Sequence, residues 1–119
     1  MEILLDTRTA AKRARIASIL GGWFAKCAAS GYKAVEPDNL DSWTRSRHLL
    51  TRRGNLALAR LMVRKAHARG LAIGQKNASD VAPLHASIGF DFAVAEERHV
   101  YSECTAYAAA YGNRVYEIE

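Results

Sequence analysis

Long apolar runs are missing from this chain. Lys and Arg interrupt every hydrophobic stretch well short of the roughly 20 residues that span a bilayer, so no membrane partner is expected. The first residues, Met1-Glu2-Ile3-Leu4-Leu5-Asp6, lack a basic start, an extended apolar middle and a small-residue cleavage site, and no secretory leader is expected there. Cysteine is scarce: Cys27 and Cys104 can pair or stay reduced, and two thiols define neither a disulfide framework nor a compartment. The four histidines, His48, His67, His85 and His99, are scattered without ligand spacing, so neither a metal nor another cofactor is expected. His67, inside an amphipathic segment, reads as structural. Internal repeats and low-complexity tracts are also absent.

What remains is 119 residues, enough for one domain, half of them apolar and about a quarter charged, as in ordinary globular proteins. The formal charge is +5. A basic balance raises the alternative of a nucleic-acid-binding α/β domain using Arg45, Arg47, Arg52, Arg53, Arg60 and Arg64. No aromatic residues interleave with those arginines to stack on bases, and most of the cations fall on solvated helix faces, so nucleic acid is not the expected partner.

Strand and helix signals alternate along the whole chain. Short apolar runs at residues 3–5, 32–36, 71–74, 90–94 and 115–118 read as strands. Between them, residues 9–30, 55–69 and about 103–111 read as helices, with a short helical turn at 80–87 and a polar, Arg-rich loop at 41–53. In the first helix Ile16, Ile19, Leu20, Trp23, Phe24 and Cys27 recur at spacings of three and four, predicting one buried face. Gly21-Gly22 weakens that helix and Gly31 ends it; Pro37, having no amide proton, stops the second strand. This order is that of a parallel sheet with crossover helices, either an open α/β sandwich or a piece of a (β/α)₈ barrel. Periodicity alone does not separate the two.

The chemistry gathers at strand ends. Glu36, Asp38 and Asn39 follow the second strand, Lys76 and Asn77 the third, and Glu96 and Glu97 the fourth. Parallel α/β sheets and barrels place their ligands on the face where the C-terminal strand ends converge. Each group has a plainer reading: Asp38-Asn39 is a common turn pair, and Asp41 or Asp80 can cap a helix. Coincidence across three strand ends is what favours a site.

Several segments resemble glycoside hydrolase family 114, the endo-α-1,4-polygalactosaminidases. Val35-Glu36-Pro37-Asp38-Asn39-Leu40-Asp41 is similar to the family's V-E-P-D-N-V-D. Ala66-His67-Ala68-Arg69-Gly70-Leu71-Ala72-Ile73-Gly74-Gln75-Lys76-Asn77 resembles its A-H-x-R-G-L-x-I-G-x-K-N. Phe90-Asp91-Phe92-Ala93-Val94-Ala95-Glu96 resembles F-D-F-A-L-N-E, Tyr101-Ser102-Glu103-Cys104 resembles Y-D-E-C, and Leu5-Asp6-Thr7-Arg8 resembles L-D-I-R. The matches run in order over nearly the whole chain. Ala95 stands where the family usually has Asn, and Arg98 where it often has Cys, the usual partner of the position held by Cys104.

The resemblance implies a barrel hydrolase acting on α-1,4-linked galactosamine polymers with two carboxylates and retention. Asp38 corresponds to the nucleophile and Glu96 to the general acid/base, while Glu36, Asn39, Asp41, Lys76 and Asn77 would line the sugar subsites. Full-length relatives are expected to be secreted. A closed barrel takes eight strands and about 250 residues, whereas about five strands are read here. The expected fold is therefore a single partial (β/α)₈ barrel over residues 1–119, lacking the barrel's N-terminal strands. Its open edges and apolar interior invite self-association. The alternative function is a carbohydrate-binding remnant without turnover.

Overall fold

A computed structural model describes residues 5–96 and 104–118. Four strands, β1 (Ala34–Val35), β2 (Ala72–Lys76), β3 (Phe92–Glu96) and β4 (Val115–Ile118), form one parallel sheet in the order β1-β2-β3-β4. Helices α1 (Ala10–Ala29), α2 (Arg52–Ala68), α3 (His85–Ile88) and α4 (Cys104–Tyr111) connect and flank them, with 3-10 turns at Ser42–Arg45 and Ser79–Leu84. Sequential order with uniform direction is the arrangement of one arc of a β/α barrel. Of the apolar run at residues 3–5, positions 3 and 4 lie outside the described residues and Leu5 is not in a strand.

Local signals explain most boundaries. Thr9 caps α1 by accepting from the Lys12 amide at 3.2 Å. Gly31, at φ +92°, closes α1, with the Tyr32 amide donating to the Cys27 carbonyl. Helix α2 starts three residues before the position its apolar pattern indicates, because Thr51 Oγ1 accepts from the Gly54 amide at 3.0 Å and extends the helix back into the basic loop. Strands β2 and β3 each run two residues further than their apolar content suggests. Parallel pairing of Lys76 with Val94, and of Glu96 with Ile118, carries them on.

The face of α1 follows the sequence pattern at Ile16, Leu20, Phe24 and Cys27 and departs from it at two positions. Ala17, Gly21 and Phe24 are buried, while Ile19 and Trp23 are 50% and 59% exposed. Helix α1 meets α2 through its small residues, and a Cβ placed on Gly21 would come within 3.1 Å of the Lys65 stem. Close approach through Gly21 rotates the two large side chains outward. Gly22 has no neighbour within 4 Å of that position. Gly54 is the opposite case, with the Thr7 carbonyl oxygen 2.9 Å from where its Cβ would lie.

These contacts set a paired prediction. Gly22→Ala should raise stability by about 0.5–1 kcal/mol through helix propensity alone. Gly54→Val should lower it by about 1–3 kcal/mol, since a backbone atom obstructs the new side chain. Urea midpoints of the two variants check both signs.

Alternation along the strands puts Ile73, Gln75, Ala93 and Ala95 on the helix-covered side, and all four are fully buried. Around them Val63, Ala66, Val81, Ile88 and Tyr107 complete the core. Gly74, Lys76, Phe92, Val94 and Glu96 alternate onto the opposite face, where the Phe92 ring covers Gly74 and meets Tyr116 edge-on at 5.6 Å. At the N-terminal edge Asp91 Oδ2 accepts from the Ile73 amide and contacts His67 Nε2, both at 2.8 Å. His67 thereby ties α2 to two strands.

Candidate active site

Three acids reach one ammonium at the C-terminal edge of the sheet. Glu36 is the first residue past β1, Lys76 the last of β2 and Glu96 the last of β3. Lys76 Nζ lies 3.7 Å from Glu36 Oε1, 3.6 Å from Asp38 Oδ1 and 3.3 Å from Glu96 Oε2. The lysine stem rises through the sheet's open face and its side chain is only 10% exposed, whereas Asp38 and Glu96 are about half exposed. A buried cation thus anchors the cluster from below while the acids face solvent.

Burial works against the charge on Lys76, yet Glu36, Glu96 and Asp38 together outweigh it and raise its pKa above the ordinary lysine value. It stays an ammonium. Glu36 goes the other way for a carboxyl. Burial pushes its pKa up from 4.5, Lys76 pulls it back, and the charges of Asp38 and Glu96 push it up again. Because the folded state binds that proton more tightly than the unfolded state, the stabilisation is complete below 4.5 and is lost as pH rises through the folded-state value. Glu36→Gln should therefore melt above the parent near neutral pH, with the gap closing in acid. Melting curves across pH check the sign.

The other predicted residues divide. Asn39 lies with Glu36, Pro37 and Asp38 along a cavity of about 650 Å³ whose far wall includes Trp23, Phe24 and Leu58. Asp41 pairs with Arg45 at 3.2 Å. Asn77 sits beside the lysine, and its Oδ1 accepts from the Glu96 amide at 2.8 Å. Glu97 lies outside the described residues.

Asn55 is a residue the sequence reading missed. Buried in the first turn of α2, it takes a hydrogen bond from Thr7 Oγ1 and donates to the Leu40 carbonyl at 3.0 Å and Ser42 Oγ at 2.6 Å. It clamps the segment that follows Asp38. An Asn in an amphipathic helix gives no sign of such a role, because its partners come from two distant segments.

Lysine-anchored carboxylates at adjoining strand ends of a β/α arc match a two-acid hydrolase site, and the sequence comparison decides the family. The model of glycoside hydrolase family GH114 matches residues 1–119. The chain belongs to that family. Among solved structures, this GH114 chain is similar to the crystal structure of Aspergillus fumigatus Ega3 in complex with galactosamine. The TM-score is 0.78 at 28% identity, over 94% of this chain and 44% of that one. The GH114 chain therefore spans less than half the length of that relative. A search of curated proteins finds no match. The match settles the architecture between the two left open by periodicity: the fold is a partial β/α barrel.

Further features of the GH114 chain concern the described residues alone. Among them, Cys27 and Cys104 form no disulfide, and no group of three potential ligands is placed to hold a metal. No described helix is long and apolar enough to cross a membrane. Of the six arginines in the basic stretch, Arg45 faces Asp41 and Arg52 faces Asp80 at 3.1 Å.

Proposed function

We propose that this GH114 chain carries the working carboxylates of a retaining hydrolase of α-1,4-linked galactosamine polymers, with Asp38 as nucleophile and Glu96 as general acid/base. The observation that carries the reading is the shared contact of Asp38 and Glu96 with Lys76 Nζ, at 3.6 and 3.3 Å. Those oxygens can be no further apart than the two distances end to end, about 7 Å. Retaining enzymes hold their carboxyls about 5–5.5 Å apart and inverting enzymes about 6.5–9.5 Å. That bound is compatible with the retaining separation.

In the first step Asp38 attacks the anomeric carbon as the glycosidic C–O bond breaks, and Glu96 gives its proton to the leaving oxygen. A covalent glycosyl ester on Asp38 results. Water then attacks the same carbon, Glu96 takes the water proton, and the ester bond breaks to restore both groups. Lys76 holds the two carboxylates in register throughout. With Glu96 carrying its proton, the carboxylates of Glu36 and Asp38 against one ammonium still leave the cluster net negative, which suits a substrate bearing an ammonium of its own. Ega3, whose structure contains galactosamine, supports that choice of sugar. Glu36, Asn39, Asp41 and Asn77 remain proposed subsite residues.

Incubation with polygalactosamine should release reducing ends that first appear as the α-anomer, read by proton NMR. Release of the β-anomer would overturn retention. A second reading, glycan binding without turnover, draws on the match to less than half of the Ega3 chain. Polymer retained on the protein with no reducing ends formed would select it.

A further inference from the structure

A run of polar contacts leads from the buried side of helix α4 out to Glu96, and nothing in the proposed chemistry uses it directly. Gln75 alternates onto the helix-covered side of β2 and is fully buried. A primary amide in that position is costly unless its polar atoms find partners. Gln75 Oε1 accepts from Tyr111 Oη at 2.6 Å, and its Nε2 donates to the carbonyls of Asn77 at 2.8 Å and Ala78 at 2.9 Å. Tyr111 is itself buried, and burial pushes its phenol pKa up, so it remains a donor at any ordinary pH.

The two residues that Gln75 holds are unusual. Asn77 and Ala78 have φ of 52° and 60°. Consecutive left-handed residues are disfavoured for L-amino acids, and Ala has no side chain able to offset the cost by local hydrogen bonding. The amide of Gln75 is the side-chain group that bonds to both carbonyls of this turn, beside the Val81 amide, which donates to the Ala78 carbonyl at 2.9 Å. The turn in turn aims Asn77 Oδ1 at the Glu96 amide, at 2.8 Å, while the Asn77 amide donates to the Val94 carbonyl at 3.0 Å.

We infer that Gln75 and Tyr111 are positioning residues: together they hold the left-handed turn at 77–78 that fixes the backbone of Glu96, and through it the place of its carboxyl beside Lys76 and Asp38. The inference deepens the proposed function and rests on Glu96 being the acid/base. Neither residue touches the reacting atoms. Of the two, only Gln75 bonds to the turn, and Tyr111 acts by fixing which way its amide points.

Amide exchange in the full chain tests this without requiring turnover. Tyr111→Phe removes one hydroxyl, and Gln75→Glu keeps the acceptor for Tyr111 but faces the two carbonyls with oxygen. Both should speed exchange at the Glu96 and Asn77 amides by at least about tenfold while the α2 amides keep their parent rates. Ile88→Val, a core change away from the turn, should leave the Glu96 amide at the parent rate. If Tyr111→Phe does not fold, Gln75→Glu answers the same question. On polygalactosamine both variants should lose about tenfold in kcat, with a smaller rise in KM because the proposed subsite residue Asn77 moves with the turn. Parent-like exchange at Glu96 in the folded variants, or exchange raised uniformly across the chain, would overturn the inference. A parent that exchanges as described yet hydrolyses nothing would count against the proposed function instead.

Discussion

Glu96→Gln should cut the release of reducing ends from polygalactosamine by about 10²–10⁴-fold, the range general acid–base catalysis supplies. The substitution keeps the shape and the backbone contact with Asn77, so the fold around β3 should stand. What it removes is the proton donor that the proposed function places beside Lys76 for the leaving oxygen. The size of the loss depends on the leaving group. An aryl galactosaminide with an acidic phenol leaves without protonation, and Glu96→Gln should cleave it at nearly the parent rate in the first step. Asp38→Asn should lose both substrates alike, because no ester can form. If Glu96→Gln hydrolyses the polymer at the parent rate, the acid/base assignment is wrong.

Lys76→Met should produce the second large effect, a fall of about 10²-fold or more in kcat/KM with little change in stability. Methionine matches the stem in length and apolar character and removes the desolvation cost of the ammonium. The carboxylates it leaves behind are partly exposed, and water screens them, so the stability change should stay within about 1 kcal/mol. Under the proposed function, activity depends instead on three acids being held around one point. Without the cation they repel one another and separate, and Glu36, which Lys76 pulls downward against burial, is driven further up. Lys76→Arg should not restore the rate, because a planar guanidinium does not fit where a side chain only 10% exposed now stands. Denaturant midpoints beside steady-state kinetics separate the two outcomes.

Much of this molecule was legible in residue order. The alternation of short apolar runs with helical periodicity marked the parallel sheet, and polar residues after the runs marked the edge that carries the candidate site. Strand ends were misplaced for a definite reason. Lys76 and Glu96 look like loop residues by composition, yet parallel pairing with Val94 and Ile118 keeps them in the ladder. On α1 periodicity held for Ile16, Leu20, Phe24 and Cys27 and missed at Ile19 and Trp23, which fit the spacing while Gly21 sets the contact with α2.

Gln75 was invisible for a different reason. Its partner Tyr111 is 36 residues away and on another element, so no local pattern announces that a glutamine belongs in the core. Asn55 hid in the same way. Both are polar residues whose meaning lies in distant segments. The three acids, by contrast, were found because topology alone carries the ends of neighbouring parallel strands to a common edge.

Two of the groups that meet at this edge, Lys76 and Glu96, are strand residues, and Glu36 comes one position after its strand. Their mutual geometry is inherited from the pitch and twist of the ladder, which hydrogen bonds hold on both sides of β2 and β3. Segments beyond the turn at 77–78 can therefore be rewritten while the charged trio keeps its spacing, whereas Asp38 and Asn77 lie in the loops that directly follow β1 and β2. Selectivity is editable in this architecture outside those two short stretches.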